Sequence, residues 1–217
     1  MKTLVVGDLH GQVDLAKAAI DTGYPVVFVG DYLDSFRVGR DKQVETIEFV
    51  LDCIRKDLAI GLVGNHDLSY MLGYNQFPCS GHSKGFRTKL MYKDLIQEMF
   101  QHLKYFTFAE GFLISHAGVS NEFLKANNIT LDKYLEDGIF TDCGFARGGH
   151  CPVGGLLWCD WRFEFSPIPD QPQIVGHSRG DGIRKNGNSY CIDCLENGFT
   201  QGLLIEDGKA EVFDFCS

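Results

Sequence analysis

Asp8 and His10, with a glycine on either side of the pair, directly follow a short apolar run near the start of the chain, Thr3-Leu4-Val5-Val6. An acid and a histidine two residues apart on an extended segment project to the same side. Both side chains are good ligands for a divalent metal ion of borderline hardness. The D-x-H pattern alone is a weak signal, so its interpretation depends on whether other predicted strands end in the same way.

The same pattern recurs after later apolar runs, at residues 26–29, 58–63, 111–115 and 174–175. In chain order, the polar groups at these strand ends are Asp8, His10, Asp31, Asp34, Asn65, His66, His116 and His177. Helical patterns separate the first three predicted strands, which favours β-α-β units with a parallel sheet. The carboxyl ends of parallel strands are where sites assemble. The set holds more ligands than one ion needs, and a carboxylate that bridges two ions accommodates the surplus.

The C-terminal part of the chain changes character. Three strands are predicted there, at residues 189–195, 202–206 and 210–215, with hairpin turns at Asn197-Gly198 and Asp207-Gly208. An antiparallel element would therefore lie beside the parallel half. Before this part, Tyr92 to Leu103 has the apolar spacing of a helix, and a further short helix is predicted at residues 131–135.

Composition excludes several classes of protein. The 217 residues are 44% hydrophobic and 23% charged, which is typical of a folded globular protein. No run of about 18 apolar residues occurs, so no membrane span is expected, and the apolar N-terminal run is too short for a signal peptide. We therefore expect a cytoplasmic protein. The net charge of −9 argues against a long nucleic-acid footprint.

Two local features have modest interpretations. The chain has eight cysteines, and without an export signal we expect reduced, mostly buried thiols. Cys191 and Cys194 have C-x-x-C spacing but lack a second pair, so core thiols are favoured over a zinc or redox site. A cluster of basic residues is interpreted as a solvated helix face, with a patch for an anionic substrate as the alternative. It comprises Lys84, Arg87, Lys89, Lys93 and Lys104.

Five motifs occur in order over residues 7–178: G-D-x-H-G, G-D-x-x-D, G-N-H-D, H-A-G and G-H-S. Together they resemble the calcineurin-like metallophosphoesterase superfamily, and most closely the short bacterial and phage members of its phosphoprotein phosphatase family. The resemblance implies an α/β fold, a four-layer α-β-β-α metallophosphatase sandwich with mixed sheets and a metal site at the strand ends. It also implies a single domain of residues 1–217, with an irregular insert or cap within about residues 119–172.

The resemblance further implies a role for each strand-end residue. The implied ligands are Asp8 and His10 for a first ion, Asp31 as the bridge, and Asn65, His116 and His177 for a second ion. His66 would be the general acid that protonates the leaving oxygen, and Asp34 would accept the other ring hydrogen of His66. The implied cofactors are two divalent ions, manganese first, with iron or zinc as alternatives. A hydroxide bridging the ions would attack the phosphoester in line.

The arginines that bind the substrate are predicted less directly. Members of the family usually carry an arginine directly after G-D-x-x-D, where this chain has Ser35. Arg37 and Arg40 are candidates to replace it. Arg162 is the first candidate for a second phosphate-binding arginine, and Arg147 follows. The segment from residue 176 to residue 184 is a further possible anion contact.

Three functions remain open on the sequence alone. The leading hypothesis is a serine/threonine-type protein phosphatase, so a phosphorylated protein is the expected partner. The alternative is a nucleotide hydrolase, either diadenosine tetraphosphatase-like or a cyclic-nucleotide phosphodiesterase. Four aromatic residues could stack on the base of such a nucleotide: Trp158, Trp161, Phe163 and Phe165. Packing in the core is the favoured interpretation of these residues. A binding module without turnover is the third, and the complete ligand set argues against it.

Overall fold

Two mixed β-sheets form the centre of the protein in the computed structural model, which describes residues 2–35, 37–72, 93–138, 144–147, 149–150, 152–195, 198 and 200–215. The strands are β1 (Thr3–Val6), β2 (Val26–Phe28), β3 (Ala59–Gly61), β4 (Phe106–Ala109), β5 (Phe112–Ser115), β6 (Gln173–Val175), β7 (Arg184–Asn186), β8 (Ser189–Cys191), β9 (Gln201–Glu206) and β10 (Lys209–Asp214). The helices are α1 (Val13–Asp21), α2 (Arg40–Arg55), α3 (Asn65–Leu72), α4 (Lys93–His102), α5 (Asn121–Ala126) and α6 (Leu131–Asp137). A 3-10 helix spans Phe145–Arg147.

Each sheet has five strands, three of which are parallel to one another. The first sheet has the order β10-β9-β1-β2-β3, in which β1, β2 and β3 are parallel and β9 is antiparallel to β1. The second has the order β4-β5-β6-β8-β7, in which β5, β6 and β8 are parallel and the two edge strands are antiparallel. The carboxyl ends of β1, β2 and β3 therefore lie along one edge of the first sheet.

The continuous apolar runs of the strands follow from burial on both faces. Leu4 and Val6 of β1 belong to the core formed with α1 and α2, whereas Val5 packs against residues of the second sheet. Successive side chains on a strand point to opposite faces, so both faces of β1 need apolar residues. The layer between the sheets includes Val27 from the first sheet and Ile174 from the second.

The outer layers complete the predicted fold class. Helices α1 and α2 cover the first sheet through residues such as Ala16 and Ile47. On the second sheet, Val175 and Cys191 pack against Trp161 and Phe165 of the connection between β5 and β6. The α/β metallophosphatase sandwich with mixed sheets is confirmed, and an irregular segment takes part in covering the second sheet.

The connection between β5 and β6 contains α5, α6 and the 3-10 helix. The helix predicted at residues 131–135 is confirmed as α6, where the side chain of Thr130 accepts a hydrogen bond from Lys133 N at 3.2 Å. Such a cap satisfies one of the free N–H groups of the first turn. Gly138 ends the helix with a φ of 68°. The predicted helix within residues 92–103 is also confirmed, as α4.

The C-terminal strands are confirmed with two corrections. Asp207 and Gly208, with φ values of 48° and 74°, form the predicted turn between β9 and β10. The second predicted hairpin, at Asn197-Gly198, is wrong because β8 and β9 lie in different sheets. Strand β7 was not predicted, since Arg-Lys-Asn on a sheet edge has no alternation of apolar and polar residues.

Two composition-based expectations can be compared with the described residues. Cys53, Cys159, Cys191 and Cys194 are buried free thiols, as predicted. None of the helices that the structure describes combines the length and the apolarity that crossing a membrane requires. Within the basic cluster, Lys84, Arg87 and Lys89 lie outside the described residues.

Candidate metal centre

A cavity of about 230 Å³ opens where the strand ends of the first sheet meet the ends of β5, β6 and β8. Six of the eight predicted strand-end residues line it: Asp8, His10, Asp31, Asn65, His66 and His177. A seventh, His116, is fully buried and has a ring nitrogen within 4.8 Å of carboxylate oxygens of Asp8 and Asp31. The fold therefore brings the predicted strand-end residues to one place.

Left-handed backbone conformations recur among these residues. His10, Asp31, Asp34 and His177 have φ values of 42°, 53°, 70° and 64°. Such conformations cost of order 1–3 kcal/mol each in residues other than glycine and cluster at functional sites. The strand ends thus turn sharply, which directs the side chains into the cavity instead of along the sheet.

Glycines in two of the motifs make room for the carboxylates. A Cβ atom on Gly64 would lie 2.0 Å from Asp31 Oδ1, and one on Gly176 would lie 2.0 Å from Asp8 Oδ1. Atoms cannot approach that closely, so any other residue would displace a carboxylate. The glycines of G-N-H-D and G-H-S are explained by these contacts.

Backbone carbonyls fix the tautomers of two histidines. Nδ1 of His10 lies 2.6 Å from Leu33 O, and Nδ1 of His116 lies 3.1 Å from Val29 O. A carbonyl oxygen only accepts, so each Nδ1 carries the hydrogen and each Nε2 presents a lone pair. Burial lowers the pKa of both rings to about 3, so both are neutral near pH 7.

These lone pairs converge on a carboxylate oxygen. Asp31 Oδ2 lies 3.7 Å from His10 Nε2 and 3.5 Å from His116 Nε2. When Asp31 is ionised, all three atoms are acceptors and no hydrogen lies between them. Two ligands each about 2.1 Å from one ion are separated by roughly 3.0–3.4 Å. The spacing is therefore close to that of ligands around a cation, and longer than a hydrogen bond.

A second group of candidate ligand atoms lies around Asn65. Its Oδ1 is 2.8 Å from His116 Nε2 and 3.0 Å from His177 Nδ1. Burial lowers the pKa of His177 well below its usual value, and this ring is also neutral. Carboxylate, amide and imidazole ligands suit divalent manganese, iron or zinc, so the residues fit the metal centre implied by their motifs.

The charge of the site also calls for a cation. Burial raises the pKa of Asp8 well above its usual value, with the charge of Asp193 as the next cause. Burial likewise raises the pKa of Asp31, followed by the charge of Asp8. Adjacent buried carboxylates disfavour each other's ionised forms, and a bound divalent ion reverses that effect.

His66 and Asp34 form a hydrogen-bonded pair at the cavity. His66 Nδ1 lies 2.6 Å from Asp34 Oδ2, and His66 Nε2 lies 3.9 Å from Asp31 Oδ2. The fully buried Asp34 is held by two helices, since Tyr70 Oη donates to Asp34 Oδ1 at 2.9 Å and Gln43 Oε1 accepts from Asp34 N. This support fixes the ring so that Nε2 is directed toward the cavity.

Three arginines line the cavity: Arg147, Arg162 and Arg179. The first two were predicted as substrate-binding residues. Arg179 belongs to the segment of residues 176–184 that was named only as a possible anion contact. Arg147 Nη2 lies 2.9 Å from Asp160 Oδ2, which orients its guanidinium group. A group of arginines beside a candidate metal centre is suited to an anionic substrate.

The other two candidate arginines lie elsewhere. Arg37 and Arg40 are not among the described residues that line the cavity, and their role in binding stays a prediction. Ser35 has a local function, because its Oγ accepts hydrogen bonds from Arg37 N at 3.1 Å and Val38 N at 3.0 Å. Serine hydroxyls stabilise turns in this way.

The aromatic residues do not form one continuous wall. Trp161 stacks on Phe165 with ring centroids 4.4 Å apart in the core, whereas Phe163 is 79% exposed. Trp158 lines the cavity and meets His177 edge-on at 5.7 Å. Core packing, the favoured prediction, is confirmed for Trp161 and Phe165.

Asp67 has a positioning role that its sequence motif did not reveal. Its Oδ2 accepts hydrogen bonds from Asp31 N at 2.7 Å and Gly64 N at 2.9 Å, and its Oδ1 accepts from Tyr32 N at 2.9 Å. The carboxylate joins the loop after β2 to the loop after β3. Asp67 therefore fixes the backbone of Asp31 and of Gly64, the residue that precedes Asn65.

Replacing Asp67 by asparagine is expected to lower the free energy of unfolding by about 1–3 kcal/mol. The amide nitrogen cannot accept, so at least one buried N–H group loses its partner. Chemical denaturation of Asp67→Asn and of Asp132→Asn, an exposed control on α6, measures the difference. Equal stability of the two variants would contradict the assigned role.

A model of the calcineurin-like phosphoesterase family matches residues 1–193, which is most of the chain. No curated protein matches the sequence. The family match covers every one of the five motifs and ends after β8.

Solved structures share the fold at low sequence identity. A cold-active protein-tyrosine phosphatase of a psychrophilic Shewanella species has a TM-score of 0.65 at 17% identity, over 97% of this chain and 80% of its own. A Saccharomyces cerevisiae protein serine/threonine phosphatase with similarity to human phosphatase PP5 has a TM-score of 0.62 at 15% identity. The match covers 99% of this chain and 80% of the yeast chain. A candidate diadenosine tetraphosphatase has a TM-score of 0.60 at 15% identity, over 98% of this chain and 92% of its own. These similarities establish the shared fold.

Proposed function

The chain belongs to the calcineurin-like phosphoesterase family, and on this premise we propose that it removes phosphate from serine or threonine side chains of proteins with two divalent metal ions. The observation that carries the proposal is the convergence of candidate ligand atoms on Asp31 Oδ2 and Asn65 Oδ1. Manganese is the proposed metal.

The residues divide into two ligand groups that share Asp31. Asp8 and His10 would hold the first ion. The second would be held by residues from three other strand ends, namely Asn65, His116 and His177. When bound, the ions lower the pKa of water and neutralise phosphoryl oxygens. The chain's own residues supply orientation, charge and a proton.

The proton comes from His66. Asp34 holds its Nδ1–H, which leaves Nε2 facing the cavity to protonate the leaving oxygen. Arg147, Arg162 and Arg179 bind the phosphoryl oxygens from the cavity wall. A serine or threonine alkoxide is a poor leaving group, so a positioned acid beside the ester is useful for such substrates.

A protein substrate is favoured over a nucleotide because the described residues of the cavity offer little surface for stacking a base. Of the four aromatic residues considered, Trp158 alone lines the cavity within the described part of the chain, and its ring is engaged with His177. Base stacking on aromatic faces is the common means of recognising nucleotides.

A substrate panel with manganese tests the proposal. It compares phosphoserine and phosphothreonine peptides with a phosphotyrosine peptide, a dinucleoside polyphosphate and a cyclic nucleotide. The largest kcat/KM is expected for the phosphoserine or phosphothreonine peptide. A larger kcat/KM for either nucleotide would show that the protein is a nucleotide hydrolase and not a protein phosphatase. Metal binding without turnover of any substrate would indicate a binding module.

Manganese affinity is expected to rise with pH and then level off. Asp8 and Asp31 have raised pKa values, so the metal must displace protons from them at acidic pH. His10 and His116, with pKa values of about 3, compete little with the metal above about pH 4. Titration with manganese at about pH 5.5, 6.5 and 7.5 measures the trend. An affinity independent of pH would exclude the buried carboxyls as ligands.

A further inference from the structure

Asp193 is a buried carboxylate in the cavity that the motifs did not assign. It follows β8 by two residues, is 3% exposed and lines the cavity together with the predicted ligands. Its Oδ1 is buried and has no hydrogen-bond partner among the described residues. A buried polar atom without a partner costs about 1–3 kcal/mol, so its retention needs an explanation.

The backbone around Asp193 is fixed against the end of β1. A Cβ atom on Gly7 would lie 2.4 Å from Ile192 O and 3.6 Å from Asp193 Cα, so the two strand ends are in contact. Asp193 O also accepts a hydrogen bond from Gly180 N at 2.9 Å. The carboxylate is therefore held beside Asp8 by main-chain packing on both sides.

A role as counter-charge for a nearby arginine does not explain why Oδ1 of Asp193 is buried without a hydrogen-bond partner. Arg179 and Arg184 lower the pKa of Asp193, which burial raises to about 6. The Nη2 atom of Arg184 donates to Ser178 O and to Cys191 Sγ, the latter at 3.0 Å. Neither arginine provides a hydrogen bond to Oδ1, and Asp193 itself lines the cavity.

We propose that Asp193 is a positioning residue of the metal centre, whose Oδ1 accepts a hydrogen bond from a water molecule in the coordination shell of the ion on the Asp8 side. The inference rests on the proposed function, since it requires a metal ion in the cavity. Water coordinated to a divalent ion is a strong hydrogen-bond donor. A fixed acceptor orients that water, and removing such outer partners typically costs 10–100-fold in affinity or activity.

Asp193→Ala tests the inference, because alanine removes the acceptor oxygen that asparagine would keep. Asp193→Ser is the second variant in case the first folds poorly, and Asp132→Asn is the control. Three measurements are made on manganese-loaded protein: metal content per chain, the residence time of bound water from oxygen-17 relaxation, and kcat and KM for an aryl phosphate. We expect unchanged metal content, water exchange at least about threefold faster and kcat lower by about 10–100-fold with KM unchanged.

Other outcomes would overturn the inference. Loss of one ion per chain would make Asp193 a direct ligand. Unchanged water exchange with a lower thermal stability would make it a counter-charge for the arginines. A wild-type protein that binds manganese and hydrolyses no phosphoester would refute the proposed function, while the water-exchange comparison would still decide the role of Asp193.

Discussion

Replacing Asp31 by asparagine is expected to lower kcat/KM by at least about 10³-fold, which corresponds to about 4 kcal/mol of transition-state stabilisation. In the proposed centre the two ligand groups share Asp31, because its Oδ2 lies 3.7 Å from His10 Nε2 and 3.5 Å from His116 Nε2. Asparagine removes the charge that would hold the ions together. Turnover of an aryl phosphate and the manganese content per chain measure the effect, and we expect fewer than two ions per chain.

The stability of the metal-free variant separates a lost ligand from a lost fold. The pKa of Asp31 is raised in the folded protein, so its ionised form is disfavoured there. Without metal, stability is therefore lost as pH rises through the folded pKa. Asp31→Asn removes this charge, and we expect the metal-free variant to be at least as stable as wild type near pH 7. Asp41→Asn, an exposed change on α2, is the control.

Two results would contradict the assignment of Asp31. Full activity with unchanged metal content would show that the carboxylate is not a ligand. A metal-free variant less stable than wild type by several kcal/mol would show that the loss of activity reflects folding. The hydrogen bond from His66 N to Asp31 Oδ1, at 2.9 Å, can be retained by the asparagine oxygen, so this contact need not change.

The predicted ligands could be found from a local pattern because the central strands are buried on both faces. A polar residue directly after a continuous apolar run then lies at the sheet edge, as Asp8 and Asp31 do. Asp193 fits the same pattern after Tyr190-Cys191-Ile192, but the flanking cysteines favoured interpretation as a thiol segment. The sequence therefore contains a signal for Asp193, and a search for polar residues after every apolar run would have found it.

Other parts of the site depend on contacts between distant segments. Asp67 accepts hydrogen bonds from Asp31 N and Tyr32 N, 36 and 35 residues earlier in the chain. Local spacing does not encode such contacts. The same holds for the arginines, because Arg37 follows the G-D-x-x-D motif closely while Arg147 and Arg162 reach the cavity from the connection between β5 and β6.

Replacing His66 by asparagine is expected to lower kcat for a phosphoserine peptide by about 10²–10⁴-fold, the usual contribution of a positioned general acid. The loss of kcat with p-nitrophenyl phosphate as substrate should be at least tenfold smaller, because nitrophenolate leaves without taking up a proton. Asp34→Asn should give the same selectivity, since the buried carboxylate orients the ring through Nδ1. Measurement of kcat for both esters at saturating manganese gives the ratio of the two losses.

Two further variants decide what the ratio means. Tyr70→Phe removes the hydroxyl that donates to Asp34 Oδ1, and we expect a smaller loss with the same preference for the activated ester. His102→Asn, an exposed change at the end of α4, should alter neither rate. An equal loss on both esters in His66→Asn would assign His66 to phosphate binding. A selective loss shared by His66, Asp34 and Tyr70 variants can arise only if the three residues act together on the leaving group.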